Sequence, residues 1–215
     1  MTDLIKAQQF RKSAGVEDWR ALWGGQWACA HFRTGSFGVG ITLVAAIAEL
    51  AAAANHDPDV DLRPDGVTVR LFSHDVGGLS IRDVELARKI SAAARNLDVS
   101  ADPTAVQHVQ VAIDALVIAE VRPFWHAVLG YAEVGDDDLL DPHRRGPSLW
   151  FQQMDAPRAQ RNRIHIDVYV PYDQVEARIA AALAAGGHMV NDANAPEWWT
   201  LADAEGNEVD LAIWG

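Results

Sequence analysis

Residues 73–87 read SHDVGGLSIRDVELA, and this stretch decides the fold of the first half of the chain. It follows GVTVRLFS at residues 66–73, whose valines and leucine alternate with other side chains as they do in a strand. Ser80 and Asp83, three residues apart, have the spacing of a helix capping box. Apolar residues then recur on one helical face, at Val84, Ala87, Ile90, Ala94 and Leu97. The sequence here therefore predicts a strand, a glycine-containing loop and a helix.

Two histidines accompany this region, and each is followed directly by an aspartate. His56 lies in NHDPDVDL at residues 55–62, and His74 follows the predicted strand. An imidazole accepts a proton near neutral pH and its conjugate acid returns one, so two in one pocket can act as base and acid. The alternative is a pair of ordinary turn histidines, with Asp57 as a turn former and Asp83 as a helix cap. The residue types alone leave both interpretations open.

The charge balance excludes several classes of partner. The chain has 215 residues with a formal net charge of −12, and its pI is about 4.9. Because nucleic acids and anionic membranes require clustered Lys and Arg, we expect neither as a partner. A small neutral or weakly charged ligand is permitted. Cys29 is the only cysteine, so we expect no disulfide framework and no cysteine-based zinc motif.

The sequence predicts a soluble cytoplasmic protein. The first residues, MTDLIKAQQFRK, mix charges and amides where a signal peptide needs an apolar core. The longest apolar run, ITLVAAIAELAAAA at residues 41–54, has 14 residues and contains Glu49, which is too short to span a bilayer. We predict instead a buried helix from Phe37 to Ala54.

A weak internal repeat organises the second half. QHVQVAID at residues 107–114 resembles IHIDVYVP at residues 164–171, and each predicts a strand that begins at a histidine. A helix and closing strands follow in each copy, with helices at 118–129 and 173–185 and closing strands at 149–154 and 208–214. We expect a duplicated module that forms one curved sheet. Asp173 is the predicted cap of the second helix, and the acidic segment GDDDLLDPHRRG at 135–146 is predicted to be solvated.

A short polar segment predicts the domain boundary. DVSADPTA at residues 98–105 is small, polar and contains a proline, as linkers do. We therefore predict an α+β protein with two domains, residues 1–98 and 106–215, joined by a linker at 99–105.

The first half resembles a known family over residues 30–97. AELAAAANHDPDVDLRPDGVTVRLFSHDVGGLSIRDVELARKI resembles the signature region of the pterin-4a-carbinolamine dehydratases. The resemblance implies an antiparallel sheet with helices and a lyase that dehydrates 4a-hydroxytetrahydropterin to quinonoid dihydropterin by histidine acid–base catalysis. The implied reaction requires no cofactor, and the implied partner is a small pterin substrate.

The resemblance also implies the catalytic residues of the first domain. His56 matches the first motif histidine, His74 the histidine after the strand, and Asp83 the downstream aspartate. Asp57 replaces the second motif histidine, where it can act as a hydrogen-bonding or acid partner. Since a carboxylate is a poorer acid than an imidazolium at neutral pH, reduced activity is expected.

The second half resembles a glyoxalase-like domain of the vicinal oxygen chelate superfamily. FWHAVLGY at 124–131, RNRIHIDVYV at 161–170 and LADAEGNEVDL at 201–211 are similar to that domain. The resemblance implies a paired βαβββ module and, in its metal-using members, a divalent metal. The implied ligands here are His108, Gln152, His165 and Asp210. The alternative is that these strand histidines are ordinary core residues, as Trp198 and Trp199 are expected to be.

Three functions remain open at this point. The first is a pterin carbinolamine dehydratase with an appended glyoxalase-like domain of unassigned substrate. The second is a metal-dependent vicinal oxygen chelate enzyme that acts through residues 106–214. The third is a non-catalytic small-molecule-binding or oligomerisation protein. Both resemblances imply a homo-oligomer.

Overall fold

A computed structural model describes residues 4–23, 26–157 and 164–213. The chain divides into two compact units, Met1–His108 and Val109–Gly215. Each unit has its own hydrophobic core, and the two cores share no residue among the described parts of the chain. The predicted α+β class with two domains is confirmed.

The first unit is an antiparallel sheet packed against helices. Its strands are β1 (Arg20–Leu22), β2 (Trp27–Arg33), β3 (Asp59–Leu62), β4 (Gly66–Leu71) and β5 (Ser100–Ala101). The sheet order is β1-β2-β4-β3, and β5 also pairs with β2. The helices are α1 (Ala7–Lys12), α2 (Phe37–Ala54) and α3 (Ile81–Asn96). Strand residues that alternate along β2 and β4 enter the core with apolar residues of α2 and α3.

The ends of α2 and α3 follow from local chemistry. Ser80 and Asp83 form the predicted capping box at the start of α3. Helix α2 begins after Ser36, whose side chain accepts a hydrogen bond from the Val39 backbone. It ends at Asn55, which has a left-handed conformation with φ of 47°. Asparagine tolerates this conformation better than most residues, and the turn delivers His56 toward α3.

Helix α2 has the length and composition of a membrane span, with 18 residues and a mean hydropathy of 2.0. The 14-residue run counted from the sequence was shorter because it began at Ile41. Gly40, Leu43, Ile47 and Ala51 are buried, at the spacing of one helical face. A helix that packs one face on a sheet has this pattern as well.

The structure corrects the predicted linker at 99–105. Val99 is buried in the first core, and Ser100–Ala101 pair with β2 as β5. The Asp102 backbone donates a hydrogen bond of 2.7 Å to the His31 carbonyl. These residues belong to the first unit because the apolar Val99 and the free edge of β2 offer them contacts that a polar composition did not reveal.

The second unit contains two copies of a βαβββ arrangement. The first copy has β6 (Gln110–Ala115), α4 (Ile118–Leu129), β7 (Ala132–Val134), β8 (Asp138–Leu140) and β9 (Ser148–Gln153). The second has β10 (Ile166–Tyr169), α5 (Val175–Ala184), β11 (His188–Asn191), β12 (Trp198–Ala202) and β13 (Glu208–Ala212). In both copies the first and last strands pair in parallel. The predicted paired module is confirmed.

Three details of the second unit differ from the sequence prediction. The strands form two four-stranded sheets, β6-β9-β8-β7 and β10-β13-β12-β11, rather than one curved sheet. The cap of α5 is Gln174, not Asp173. The acidic segment predicted to be solvated contains β8, whose Leu139 and Leu140 are buried. Two consecutive leucines inside the acidic run supply the apolar surface that makes this burial favourable.

Candidate functional site

His56 is a buried residue of the first unit. It follows the left-handed Asn55, and its backbone donates a hydrogen bond of 3.1 Å to the Ala51 carbonyl. The side chain is only 7% exposed, and its Nε2 lies 2.8 Å from Oδ1 of Asp83. The histidine predicted from the sequence is therefore paired with the predicted aspartate.

Asp83 lies in the first turn of α3 and is fully buried. Its Oδ2 accepts hydrogen bonds from the Ser73 hydroxyl at 2.7 Å and from the Ser80 backbone at 2.7 Å. The Ser80 hydroxyl is a further donor at 3.2 Å. A buried carboxylate needs such donors because transfer of an unpaired charge from water is costly. Asp83 thus joins α3, the loop before it and His56.

His74 lies in a tight loop that Ser73 and Gly78 close. The Ser73 backbone donates to the Gly78 carbonyl at 2.9 Å, and the Gly78 backbone donates to the Ser73 carbonyl at 3.3 Å. His74 is exposed, and its ring meets the edge of Phe72 with centroids 4.8 Å apart. The loop therefore presents one imidazole to solvent while the other is buried.

Two aspartates accompany these histidines on the exposed side. Asp57 follows His56 directly and is exposed. Asp75 follows His74 and forms an ion pair with Arg82. The hydrogen bond from Arg82 is the main cause that lowers the pKa of Asp75. Asp75 was not among the predicted site residues, although it occupies the same sequence position after its histidine as Asp57 does.

The second unit brings together His165, Asp167 and Asp210. Nε2 of His165 lies 3.3 Å from Oδ1 of Asp167 and 3.7 Å from Oδ2 of Asp210. Asp167 and Asp210 are direct neighbours across the parallel strands β10 and β13. Oδ1 of Asp210 also accepts a hydrogen bond of 2.6 Å from Thr200. The three possible ligand atoms all lie within 4.8 Å of one another.

The predicted metal-ligand set also includes His108 and Gln152. His108 belongs to the first unit, where its ring lies 5.1 Å from that of Trp27 and 5.9 Å from that of Trp23. Burial lowers the pKa of His108, and the charge of Arg70 adds to the effect. Gln152 is exposed on β9, opposite Asp114. The prediction placed His108 on β6, but that strand begins two residues later at Gln110.

A cavity of about 540 Å³ lies in the second unit. Its lining includes His165, Trp125, Met154, Glu205 and Asn207, but neither Asp167 nor Asp210. The Glu205 carboxylate accepts hydrogen bonds from the Leu116 and Val117 backbones at 2.8 and 2.7 Å. The cavity and the cluster of possible metal ligands therefore share only His165.

Comparison with known proteins assigns the first unit. The family model for pterin 4 alpha carbinolamine dehydratase matches residues 3–93. A candidate pterin-4-alpha-carbinolamine dehydratase from Chloroflexus aggregans (strain MD-66 / DSM 9485) is 37% identical over 90 residues, which is 42% of this chain and 95% of that protein. The chain belongs to the pterin-4a-carbinolamine dehydratase family.

Other relatives of this family match a shorter part of the chain. A candidate dehydratase from Nocardia farcinica (strain IFM 10152) is 48% identical over 60 residues, which is 28% of this chain. The match spans 63% of that protein's length. The family assignment therefore rests on the first unit.

The second unit matches the model for a glyoxalase-like domain over residues 110–212. The chain is thus a fusion of a dehydratase-family unit with a glyoxalase-like unit. Among solved structures, a transcriptional coactivator/pterin dehydratase from Brucella melitensis is 22% identical with a TM-score of 0.41, covering 43% of this chain and 99% of that one. A glyoxalase-related enzyme from Fulvimarina pelagi is 17% identical with a TM-score of 0.42, covering 50% of this chain and 88% of that one.

The sequence did not reveal several residues around the His56–Asp83 pair and the His165 cluster of this family member. Ser73 contacts Asp83 from ten positions away, and no local pattern signals that contact. Asp167 is a direct neighbour of Asp210 only through the register of β10 and β13. Trp199 packs against the second core as expected. Trp198 alternates with it on β12, so it lies on the face that carries Thr200.

Proposed function

We propose that the first unit dehydrates 4a-hydroxytetrahydropterin to quinonoid dihydropterin. The observation that carries this proposal is the buried His56–Asp83 pair, 2.8 Å apart, in a unit whose neighbouring loop exposes a second imidazole at His74. Family membership supports the same reaction. The proposal requires one group that removes a proton and another that supplies one.

His56 is the proposed base. Because Asp83 accepts a hydrogen bond from Nε2, the neutral ring carries its proton there and Nδ1 retains a lone pair. Nδ1 then takes the proton from the ring nitrogen of the pterin. The electron pair left on nitrogen forms the new double bond to C4a, and the bond from C4a to its hydroxyl breaks.

His74 is the proposed acid. Its exposed ring protonates the departing 4a-hydroxyl, which leaves as water. The edge contact with Phe72, at a centroid distance of 4.8 Å, restricts the orientation of the ring. Asp57 is exposed beside His56 and is proposed to hydrogen-bond the substrate or to assist as an acid. A positioned acid or base contributes ~10²–10⁴-fold to such a step.

The test is the dehydration rate of the purified protein beside His74→Ala and His56→Ala. We expect a rate above the uncatalysed reaction, with a loss of ~10²-fold or more in each variant. His188→Ala is the matched control, because His188 is exposed on β11 of the other unit. A His74→Ala protein as fast as wild type would remove His74 from the mechanism. No rate in the wild-type protein would favour a binding role for the first unit.

A second candidate function is divalent metal binding by His165, Asp167 and Asp210. The observation that favours it is the mutual separation of their ligand atoms, all within 4.8 Å. One imidazole and two carboxylates suit divalent ions, whose ligand distances of about 2.0–2.6 Å span that separation. A metal held there would polarise a substrate oxygen as a Lewis acid. Asp167 takes a place in this ligand set that the sequence assigned to His108 or Gln152.

Equilibrium dialysis against Mn²⁺ or Zn²⁺, followed by elemental analysis, tests this second function. We expect about one ion per chain in the wild-type protein, and little in His165→Ala, because the imidazole is one of the three side-chain donors of this cluster. His188→Ala should bind as the wild type does. Equal metal content in wild type and His165→Ala would reject the site.

We also expect a cytoplasmic homo-oligomer. Phe37 and Ile41, each 51% exposed on α2, support an apolar contact between copies. Light scattering of the purified chain measures the assembly state, and a monomer would contradict the expectation.

A further inference from the structure

We propose that Ser73 and Ser80 are positioning residues that set the tautomer and orientation of His56 through the carboxylate of Asp83. The inference rests on the proposed role of His56 as a base. Neither serine reaches His56 directly. Their effect passes through Asp83, which no solvent reaches because it is fully buried.

The hydrogen bonds around Asp83 account for all of its acceptor capacity. An ionised carboxylate has about four lone-pair sites. Oδ1 faces Nε2 of His56 at 2.8 Å. Oδ2 faces the Ser73 hydroxyl at 2.7 Å, the Ser80 backbone N–H at 2.7 Å and the Ser80 hydroxyl at 3.2 Å. Two of these four donors are serine hydroxyls, which a substitution can remove.

The positions of the hydroxyl protons follow from the neighbouring contacts. The Arg82 backbone donates to the Ser80 oxygen at 3.2 Å, so that hydroxyl directs its own proton elsewhere. The two serine oxygens are 2.7 Å apart, and both lie near Oδ2 of Asp83. Either both protons point to the carboxylate, or one hydroxyl donates to the other and the second donates to the carboxylate. In both arrangements Asp83 acts only as an acceptor at Oδ2.

The hydrogen bonds that Asp83 accepts determine the tautomer of His56. With its second oxygen fully engaged by donors, the carboxylate offers Oδ1 to His56 as an acceptor. His56 therefore carries a proton on Nε2, and its Nδ1 is the nitrogen free to act as the base. If a hydroxyl donor is removed, Asp83 can rotate or recruit another donor, and the constraint on the ring weakens.

Ser73 has a second connection that Ser80 lacks. It directly precedes His74, and its backbone groups close the loop with Gly78. The same residue therefore fixes the start of the loop that carries one imidazole and the carboxylate that orients the other. A displacement of about 1 Å at such a position can cost ~10²-fold in rate.

The test compares three serine variants of the full chain. Ser73→Ala removes the hydroxyl, and Ser73→Thr retains it. Ser91→Ala is the matched control, because Ser91 is also buried on α3 and its hydroxyl oxygen accepts from Trp19 instead of contacting Asp83. For each variant, kcat and KM of dehydration are measured, and ¹⁵N NMR of labelled histidine reports the His56 tautomer after assignment with His56→Gln.

We expect Ser73→Ala to lower kcat by ~10–100-fold with a small change in KM, and to reduce the Nε2–H population of His56. Ser73→Thr should restore both, and Ser91→Ala should change neither. A Ser73→Ala protein with the kcat of Ser91→Ala and an unchanged His56 tautomer overturns the proposal. If Ser73→Ala does not fold, Ser73→Cys preserves the volume with a weaker donor and is judged by the same two readouts. If the wild-type chain shows no dehydration, the proposed function fails, while the NMR comparison still decides the role of Ser73.

Discussion

Among single residues, Asp57 is the departure from the family pattern with the clearest consequence for rate. It stands where the resemblance places a second motif histidine, and it is exposed beside the buried His56. A carboxylate is a poorer proton donor than an imidazolium at neutral pH. An imidazole at that position would be protonated in part and could assist departure of the 4a-hydroxyl.

We predict that Asp57→His raises the kcat of dehydration at pH 7 by ~10-fold or more, within the range that one general acid supplies. The measurement is the initial rate with 4a-hydroxytetrahydropterin. Asp57→Asn is the matched control, since the amide has a similar shape but no acidic proton, and its rate should not rise. If Asp57→His is no faster than wild type, this position does not limit the reaction.

The sequence revealed those residues whose roles depend on neighbours in the chain. Ser80 and Asp83 were predicted as a capping pair from their spacing alone, and the capping box is present. Ser73 was not predicted, because its contact with Asp83 requires the loop to fold back over ten residues. Asp167 and Asp210 are 43 positions apart in the chain and meet only because β10 and β13 pair in parallel. Long-range pairing of this kind leaves no periodic signal.

Among the helices and strands, strong apolar patterns gave accurate bounds. Helices over 37–54 and 118–129 were predicted and are present as α2 and α4, the second ending at Gly130 with φ of 66°. Short strands were missed where polar residues dominate. Strand β8 lies within the acidic segment, and its leucines are buried because β9 pairs beside it. Two apolar residues are too few to outweigh the surrounding charge in a sequence pattern.

Asp102 connects the segment after β5 to the sheet through hydrogen bonds with β2. The Thr104 side chain, followed by that of Arg33, donates hydrogen bonds that lower the pKa of Asp102 from 3.8 to about 2. Nε of Arg33 is 2.9 Å from the carboxylate, and the Thr104 hydroxyl also donates to it at 2.6 Å. Because the pKa is lower in the folded chain than in the unfolded chain, this group stabilises the fold fully above about pH 4. The stabilisation is lost as the pH falls toward 2.

We predict that Asp102→Asn lowers the free energy of unfolding at pH 6, and that the difference from wild type narrows as the pH falls from 4 to 2. Urea unfolding followed by circular dichroism at several pH values measures it. Asp65→Asn, which removes one exposed charge from the turn before β4, is the matched control. A difference that stays constant down to pH 2 would show that Asp102 acts through its shape and not through its charge.

For the whole molecule, the division into two cores sets the boundary of the first folding unit. The sequence placed the end of that unit at residue 98 because a polar segment follows. The structure extends it to His108, with Val99 only 5% exposed in the core. Polar composition reports how a segment interacts with water on average, but a single valine and the unpaired edge of β2 are enough to anchor it.

The stability of fragments tests whether the first unit ends at residue 98 or at residue 108. A fragment of residues 1–108 should have a higher free energy of unfolding than a fragment of residues 1–98. Burial of a valine side chain alone is worth roughly 1.5–3 kcal/mol, and the longer fragment also keeps β5, the Asp102 contacts and the ring contact between His108 and Trp27. Urea unfolding followed by circular dichroism measures the difference. A fragment of residues 1–105 keeps Val99 and Asp102 but lacks His108, so it should fall between the two. Equal stability of the 1–98 and 1–108 fragments would mean that residues 99–108 behave as the linker that their composition suggested.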